Sequence, residues 1–289
     1  MRKGMLLLSI GFGIIMGGVL ALAALGLSLL FRTVKFINFS YGDTLALGAF
    51  LAFLFNVTLG FPMFLSILIT IILTGIVGLI IHKIVVKPLK ENVKAGPLTL
   101  LIATMGVAFI IRNTILIIWG PDPKMYKVIS GAAMKLGPFM VTPIQLTAII
   151  ISVSIMILIY LLLQYTKIGK MIRATSDNIE LARIRGIRTE NVVTWTWLIS
   201  SGLAGLAGVM VGLIGSVDVN MGIEMLLVIF ASVIMGGIGN PYGAVAGAMI
   251  IGIAMELSSA FAWAEYKVAF AYLLMGLILL LRPRGLFAR

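Results

Sequence analysis

Residues 4–31 read GMLLLSIGFGIIMGGVLALAALGLSLLF, 28 positions without one charged side chain. A helix of about 20 apolar residues crosses the roughly 30 Å hydrocarbon layer of a bilayer, so this run alone spans a membrane. The same character repeats along the chain. Uncharged runs cover Thr44–Ile81, Ile144–Leu163, Asn191–Val217, Met225–Met255 and Val268–Leu281, and Leu98–Trp119 adds a span that carries Arg112. The runs are continuous rather than alternating with period two, which argues against a closed barrel. Gly60-Phe61-Pro62 breaks the second run, because proline lacks a backbone donor and disfavours helix just before it. The turn signal Gly236-Gly237-Ile238-Gly239-Asn240-Pro241-Tyr242-Gly243 breaks another. The expected fold is an all-α, polytopic integral membrane protein, one transmembrane domain over residues 1–289. About eight or nine membrane segments are expected, some short, broken or re-entrant.

Composition excludes the competing classes. The chain is 61% hydrophobic and 11% charged, where a soluble domain has about 45–50% and about 25%. With no cysteine and a single histidine, His82, there is no thiolate metal site or disulfide framework, and almost nothing for a histidine metal site or a Ser-His-Asp triad. No catalytic residue, metal site or cofactor is expected. No phosphate-binding loop occurs: Gly169-Lys170-Met171 lacks the first glycine and the hydroxyl residue. Arg2 and Lys3 ahead of an apolar run and Ala21-Leu22-Ala23 resemble a signal peptide, but the run continues past that site to Phe31, so cleavage is not expected.

Basic residues accumulate on the cytoplasmic side of membrane proteins. Gln164–Glu190 holds Lys167, Lys170, Arg173, Arg183, Arg185 and Arg188; His82–Lys94 holds four lysines; the tail adds Arg282, Arg284 and Arg289. These three regions can share the cytoplasmic side, leaving Pro121–Lys135, Asp218–Glu224 and Ser258–Lys267 outside. The net charge of +12 is then mainly a topology signal, not a nucleic-acid surface. Charge does not settle the N-terminus. Setting Arg2 and Lys3 against Arg32 and Lys35 gives 15 basic residues in and six out either way. The short run 44–59 favours a re-entrant or broken helix, with Arg2 and Lys3 inside.

Asn38, Ser40, Tyr41 and Asp43 put four polar side chains into six positions beside apolar segments, and Gly42 permits a helix break. Polar groups at membrane depth face a partner or a watery cavity, which makes these five residues candidates for a translocation pathway. The competing reading is a surface loop with Asp43 capping the next helix. Arg112 is a sixth candidate, able to pair with Asp43 or Glu256; snorkelling to the interface, with Asn113 marking the helix end, is the favoured alternative. Glu256 reads as a helix-end residue. In the polar loop, Asp177 with Glu180 suits a helix start and Gly186 its end, giving a helix of about two turns that needs a surface to pack on. A plain solvated connector is the alternative there. Ala204-x3-Gly208-x3-Gly212 and Gly243-x3-Gly247 place small residues on one face for close helix packing within the subunit.

Four blocks, in order along the chain, resemble the permease subunits of branched-chain amino acid ABC importers. They are Ile37-Asn38-Phe39-Ser40-Tyr41-Gly42-Asp43 with Leu47-Gly48-Ala49; Arg173-Ala174 through Ala182-Arg183-Ile184-Arg185-Gly186-Ile187; the turn with Gly236, Gly237, Gly239 and Gly243; and Leu281-Arg282-Pro283-Arg284-Gly285-Leu286. The family often has Ala-His where Ser40-Tyr41 stands, and threonine at Arg284. The resemblance implies a coupling loop over 164–191, with Arg173, Ala174, Glu180, Ala182, Arg183 and Gly186, that docks on a cytoplasmic ATPase. It implies ATPase subunits, a second permease subunit and an external solute-binding protein as partners, and a plasma (inner) membrane location with a cytoplasmic C-terminus. Branched-chain amino acids or a related small polar solute would be the cargo. A urea or short-amide permease carries similar motifs. A secondary transporter driven by an ion gradient is the alternative from another class, though no convincing inverted repeat is present.

Overall fold

The computed structural model describes residues 2–128, 131–136, 139–261, 266–282 and 285–287. Among the described residues the structure is all-α apart from one hairpin. In chain order the helices are α1 (Arg2–Val34), α2 (Ser40–Phe53), α3 (Met63–Ile81), α4 (Lys87–Glu91), α5 (Pro97–Trp119), α6 (Pro143–Tyr165), α7 (Lys167–Asp177), α8 (Ile179–Ile184), α9 (Thr189–Ile214), α10 (Met221–Gly236), α11 (Pro241–Phe261) and α12 (Lys267–Leu281). Strands β1 (Met134–Leu136) and β2 (Phe139–Val141) pair antiparallel between α5 and α6. Among the described residues, seven helical segments are long and apolar enough to cross a membrane, and α10 and α12 are shorter apolar helices. Pro62 precedes the first turn of α3, and α10 and α11 part at Gly236–Pro241, so the two expected breaks fall where glycine and proline demand them.

Two π-helical turns, Leu54–Thr58 and His82–Val86, extend α2 and α3, making Ser40–Thr58 a 19-residue apolar helical segment. Arg32, at the end of α1, donates to Asp177 of α7 at 3.0 Å, and Lys87 pairs with Glu190 at the start of α9. These contacts gather the end of α1, the α3–α4 junction, α7 and α8 at one end of the bundle. An arrangement with Arg32 on the side opposite the 164–191 loop is therefore corrected. The reason is geometric: 40–58 runs on as a helix through its π turn, longer than the apolar run counted from Thr44.

α2 does not start at that end. Lys35 takes φ +61° after α1 and turns the chain back into the bundle, where Phe36 and Asn38 are buried. The Phe39 amide donates to Thr104 Oγ1 at 3.2 Å, Asp43 meets Arg112, and the rings of Phe50 and Trp119 lie 5.4 Å apart. α2 and α5 thus run side by side in the same direction. Arg112 is the sixteenth residue of α5, so Asp43 sits roughly 22 Å along that helix at 1.5 Å per residue.

The core is closed by glycines at helix crossings. A Cβ on Gly48 would stand 2.4 Å from Gly205 Cα, one on Gly208 2.0 Å from the Leu45 carbonyl, and one on Gly252 2.4 Å from Gly17 Cα. Gly247 lies equally tight on the Ser232 carbonyl. The small-residue faces predicted from spacing do bring backbones together inside the subunit, where close packing replaces the hydrophobic effect as the adhesive. Gly48→Ala forces backbones apart and should cost about 1–3 kcal/mol. Gly106→Ala, with open space around its position, should cost nothing. Thermal unfolding of the detergent-solubilised protein followed by tryptophan fluorescence measures the difference.

Candidate functional site

Asn38, Ser40, Tyr41, Gly42 and Asp43 come together at the buried start of α2. Asn38 Oδ1 accepts from the Ser40 amide at 3.1 Å and from its hydroxyl at 2.7 Å, capping the first turn. The expected cap, Asp43, lies inside the helix instead. Tyr41 donates its hydroxyl to the Ala23 carbonyl of α1 at 2.8 Å, and the Thr44 hydroxyl donates to the Ser40 carbonyl. Gly42 packs on α10: a Cβ there would lie 2.3 Å from the Gly222 carbonyl. These side chains point into the subunit rather than onto an open channel wall.

Asp43 is 1% exposed and takes a two-pronged bond from Arg112, with Nε to Oδ1 at 2.9 Å and Nη2 to Oδ2 at 3.1 Å. Planar guanidinium matches planar carboxylate in this geometry, which strengthens the bond and fixes its direction. The snorkelling reading of Arg112 is corrected. So is the helix end at Asn113, since α5 continues to Trp119 and Asn113 donates to the Phe109 carbonyl. Glu256 pairs with Lys267 at 2.9 Å, leaving Arg112 to Asp43.

Sequence reasoning missed what lies against this motif. The basic-residue distribution predicts an outer loop over Asp218–Glu224, but α10 begins at Met221 beside Gly42. Phe230, further along α10, packs on Phe39 at 5.6 Å between centroids. Both α2 and α10 therefore start deep in the bundle and run to opposite ends. A 16-residue α10 covers about 24 Å, less than a full span. A strap of residues 120–128 holds the connection in place. Lys124 and Val217 exchange backbone bonds at 2.8 and 2.9 Å, Tyr126 donates to the Ala49 carbonyl, and Asn56 accepts from the Lys127 amide. Burial raises the pKa of the Tyr126 phenol, which keeps it a neutral donor. Asn220, Ile223, Glu224 and Leu227 form the exposed side of this junction. The short run 225–235 ending in Gly-Gly was the available signal, since it is too brief for an upright span.

The 164–191 loop is two helices, not one. Thr166 Oγ1 accepts from Gly169 to cap α7, and the tight α6–α7 corner needs that glycine, whose Cβ would meet the Leu162 carbonyl at 2.3 Å. Asn178, one residue beyond the expected Asp177, caps α8 by accepting from the Glu180 and Leu181 amides at 3.0 Å each. Arg173 binds Gln164, the Ala174 carbonyl accepts from Asn178, and buried Ala182 receives the Ile187 amide. Arg183 Nε donates to Thr189 Oγ1 at 3.0 Å, and Gly186 takes φ +81°, which an L side chain adopts only under strain. Leu181 and Ile184 of α8 stand 51% and 81% exposed.

In the glycine-rich turn, Gly236 and Gly243 touch: a Cβ on either would lie 2.1–2.2 Å from the other's carbonyl oxygen. Gly237 and Gly239 take φ +105° and +81°. The fourth motif folds onto this turn, with the Leu286 amide donating to the Met235 carbonyl at 2.8 Å and Asn240 donating to the Phe287 carbonyl. Pro283 and Arg284 lie outside the described residues.

Apolar spans, two helices whose starts meet inside the bundle and a capped helical loop at one end make this an all-α polytopic membrane protein. The sequence pattern of the family described as "Branched-chain amino acid transport system / permease component" matches residues 9–281. The high-affinity branched-chain amino acid transport system permease protein LivH of Escherichia coli strain K12 is 26% identical over 292 residues, covering 96% of this chain and 94% of that one. The probable branched-chain amino acid transport permease protein LivH of Methanocaldococcus jannaschii is 30% identical over 289 residues, covering 94% and 90%. PsaBC from Streptococcus pneumoniae in complex with Fab shares the fold at TM-score 0.51 and 16% identity, covering 98% of this chain and 92% of that one. The chain belongs to the branched-chain amino acid transport permease family, as a multi-pass membrane subunit of an ABC importer.

Removing one member of the Asp43–Arg112 pair strands the other charge in the bundle. Asp43→Asn or Arg112→Gln alone should cost about 3–5 kcal/mol, and the double variant less than either single change. Unfolding midpoints of the three variants check this.

Proposed function

We propose that this chain carries branched-chain amino acids, or a related small polar solute, across the plasma (inner) membrane as half of a two-permease pathway. An external binding protein delivers the solute and cytoplasmic ATPase subunits drive the cycle. The branched-chain amino acid transport named for both LivH relatives supports the cargo class. The observation that carries the reading is α8. A capped six-residue helix at the lysine- and arginine-rich end holds Leu181 and Ile184 out to solvent, the form of a peg awaiting a groove. The basic loops support a cytoplasmic location for that end, and the bonds of Leu286 and Phe287 to the α10–α11 turn support the same side for the C-terminal residues.

In this account ATPase closure moves α8, and α8 moves its neighbours. Arg183 grips Thr189 at the start of α9, Arg173 grips the end of α6, and Asp177 grips Arg32 at the end of α1. Nucleotide state thereby biases inward- and outward-open arrangements of the permease pair without chemistry in this chain. Asn38, Ser40, Tyr41, Gly42, Asp43 and Arg112 serve the pathway by positioning α2 and α10 beside it.

Reconstitution with the ATPase, second permease and binding protein tests the reading: leucine accumulates in vesicles only with ATP. Uptake driven by a proton or sodium gradient with no ATPase would overturn it, and urea uptake in place of leucine would move the cargo to short amides. Replacing Arg183 by Ala together with Gly186 by Leu should leave insertion intact while ATP hydrolysis continues without uptake. Coupled uptake in that variant would reduce the loop to a connector.

A further inference from the structure

Glu224 is a charge at the start of α10. It is exposed, lies in the first turn of α10, and belongs to none of the four ion pairs formed among the described residues. Its depth follows from contacts already given. Gly222, two residues earlier, touches Gly42, and neighbouring Asp43 is tied to Arg112 with seven further residues of α5 beyond it. At 1.5 Å per residue Glu224 sits roughly 10 Å or more from either end of α5, within the hydrocarbon layer. An unpaired carboxylate at that depth is expensive unless it faces water or a cationic partner. Its neighbours on the exposed side are Asn220, Ile223 and Leu227, one polar and two apolar groups. Asp218 Oδ1 accepts from the Asn220 amide at 2.7 Å, which fixes the approach to the helix.

We infer that this face of α10 lines the solute path and that Glu224 receives the ammonium group of the passing solute, with Ile223 and Leu227 in contact with its apolar side chain. This rests on the proposed cargo class, a zwitterion with an apolar side chain, and adds the residue that recognises its cationic end. A carboxylate facing water at depth attracts a compact ammonium and repels anions, and the low-dielectric walls focus that field. The adjoining aliphatic residues offer the cargo no hydrogen bonds, so the selection among amino acids there is by apolar contact.

The chain has no cysteine, so each introduced thiol is unique. Ile223→Cys and Leu227→Cys, expressed with the partner subunits in native membranes, are labelled with impermeant cationic and anionic thiosulfonates. Ile72→Cys, 62% exposed on an apolar span, is the bilayer-facing control. Both junction thiols should react, with the cationic reagent at least about tenfold faster, and adding Glu224→Gln should bring the two rates together. Thiols as inert as Ile72→Cys would show the face covered by lipid or protein, and a cation preference that survives Glu224→Gln would place the negative field elsewhere; either overturns the inference. Leucine uptake separates this from the cargo reading. If wild-type complexes import leucine and the Glu224→Gln complex does so with unchanged KM and rate, the path reading fails while the cargo stands. If labelling behaves as expected but no leucine enters, the cargo fails and the cation-receiving path stands. Glu224→Asp, keeping the charge, should retain the reagent preference and part of the uptake.

Discussion

The paired bond between Arg112 and Asp43 sets the architecture. A carboxylate 1% exposed in an apolar bundle has a large desolvation cost, and the matched guanidinium is what offsets it. The pair fixes where α2 begins, because the acid lies in the first turn of that helix and the base two-thirds of the way along its neighbour. Once α2 starts inside the bundle, its Asn38 cap, the Ser40 and Thr44 hydroxyls and the Tyr41 bond to α1 satisfy the polar groups that a buried helix start exposes. A buried pair of this kind specifies geometry more than it adds stability.

The position of α10 follows from that of α2. Gly42 and Gly222 meet backbone to backbone, which no side chain at either position permits, and the residue 120–128 strap keeps the incoming chain tucked beneath it. At the other end, the Gly236–Gly243 contact and the C-terminal residues lock the turn into α11. The result is a pair of helices whose starts meet inside the bundle, with Asn220, Ile223, Glu224 and Leu227 on the exposed side of the junction. α7 and α8 are tied to this frame by bonds to the ends of α1, α6 and α9.

Span positions, the two breaks and the small-residue packing faces were legible because each has a local cause: hydropathy, proline chemistry, glycine spacing. The four family blocks were legible as well, and the matched family bears out the resemblance over residues 9–281. What was not legible depended on contacts distant in sequence. Arg112 reads as a snorkelling side chain until Asp43 is beside it, and the α2 segment reads as re-entrant until the π turn at Leu54–Thr58 lengthens it. Asp218–Glu224 reads as an outer loop, since nothing in those seven residues reveals that Gly222 is buried against Gly42. The second helix of the 164–191 loop was hidden for another reason: α7 is polar overall and only its Gly169, Ile172, Thr175 and Ser176 side is buried.

The central claim is that an ion pair at membrane depth holds two helix starts beside the solute path. The most direct measurement is a cryo-EM map of the chain in a lipid nanodisc, from which the height of the Asp43–Arg112 contact relative to both phosphate planes is read. The account predicts an intact pair at least about 10 Å below each plane, with Gly222 against Gly42 at the same level. A broken pair, or one lying in the headgroup layer with α10 starting at the surface, would contradict it.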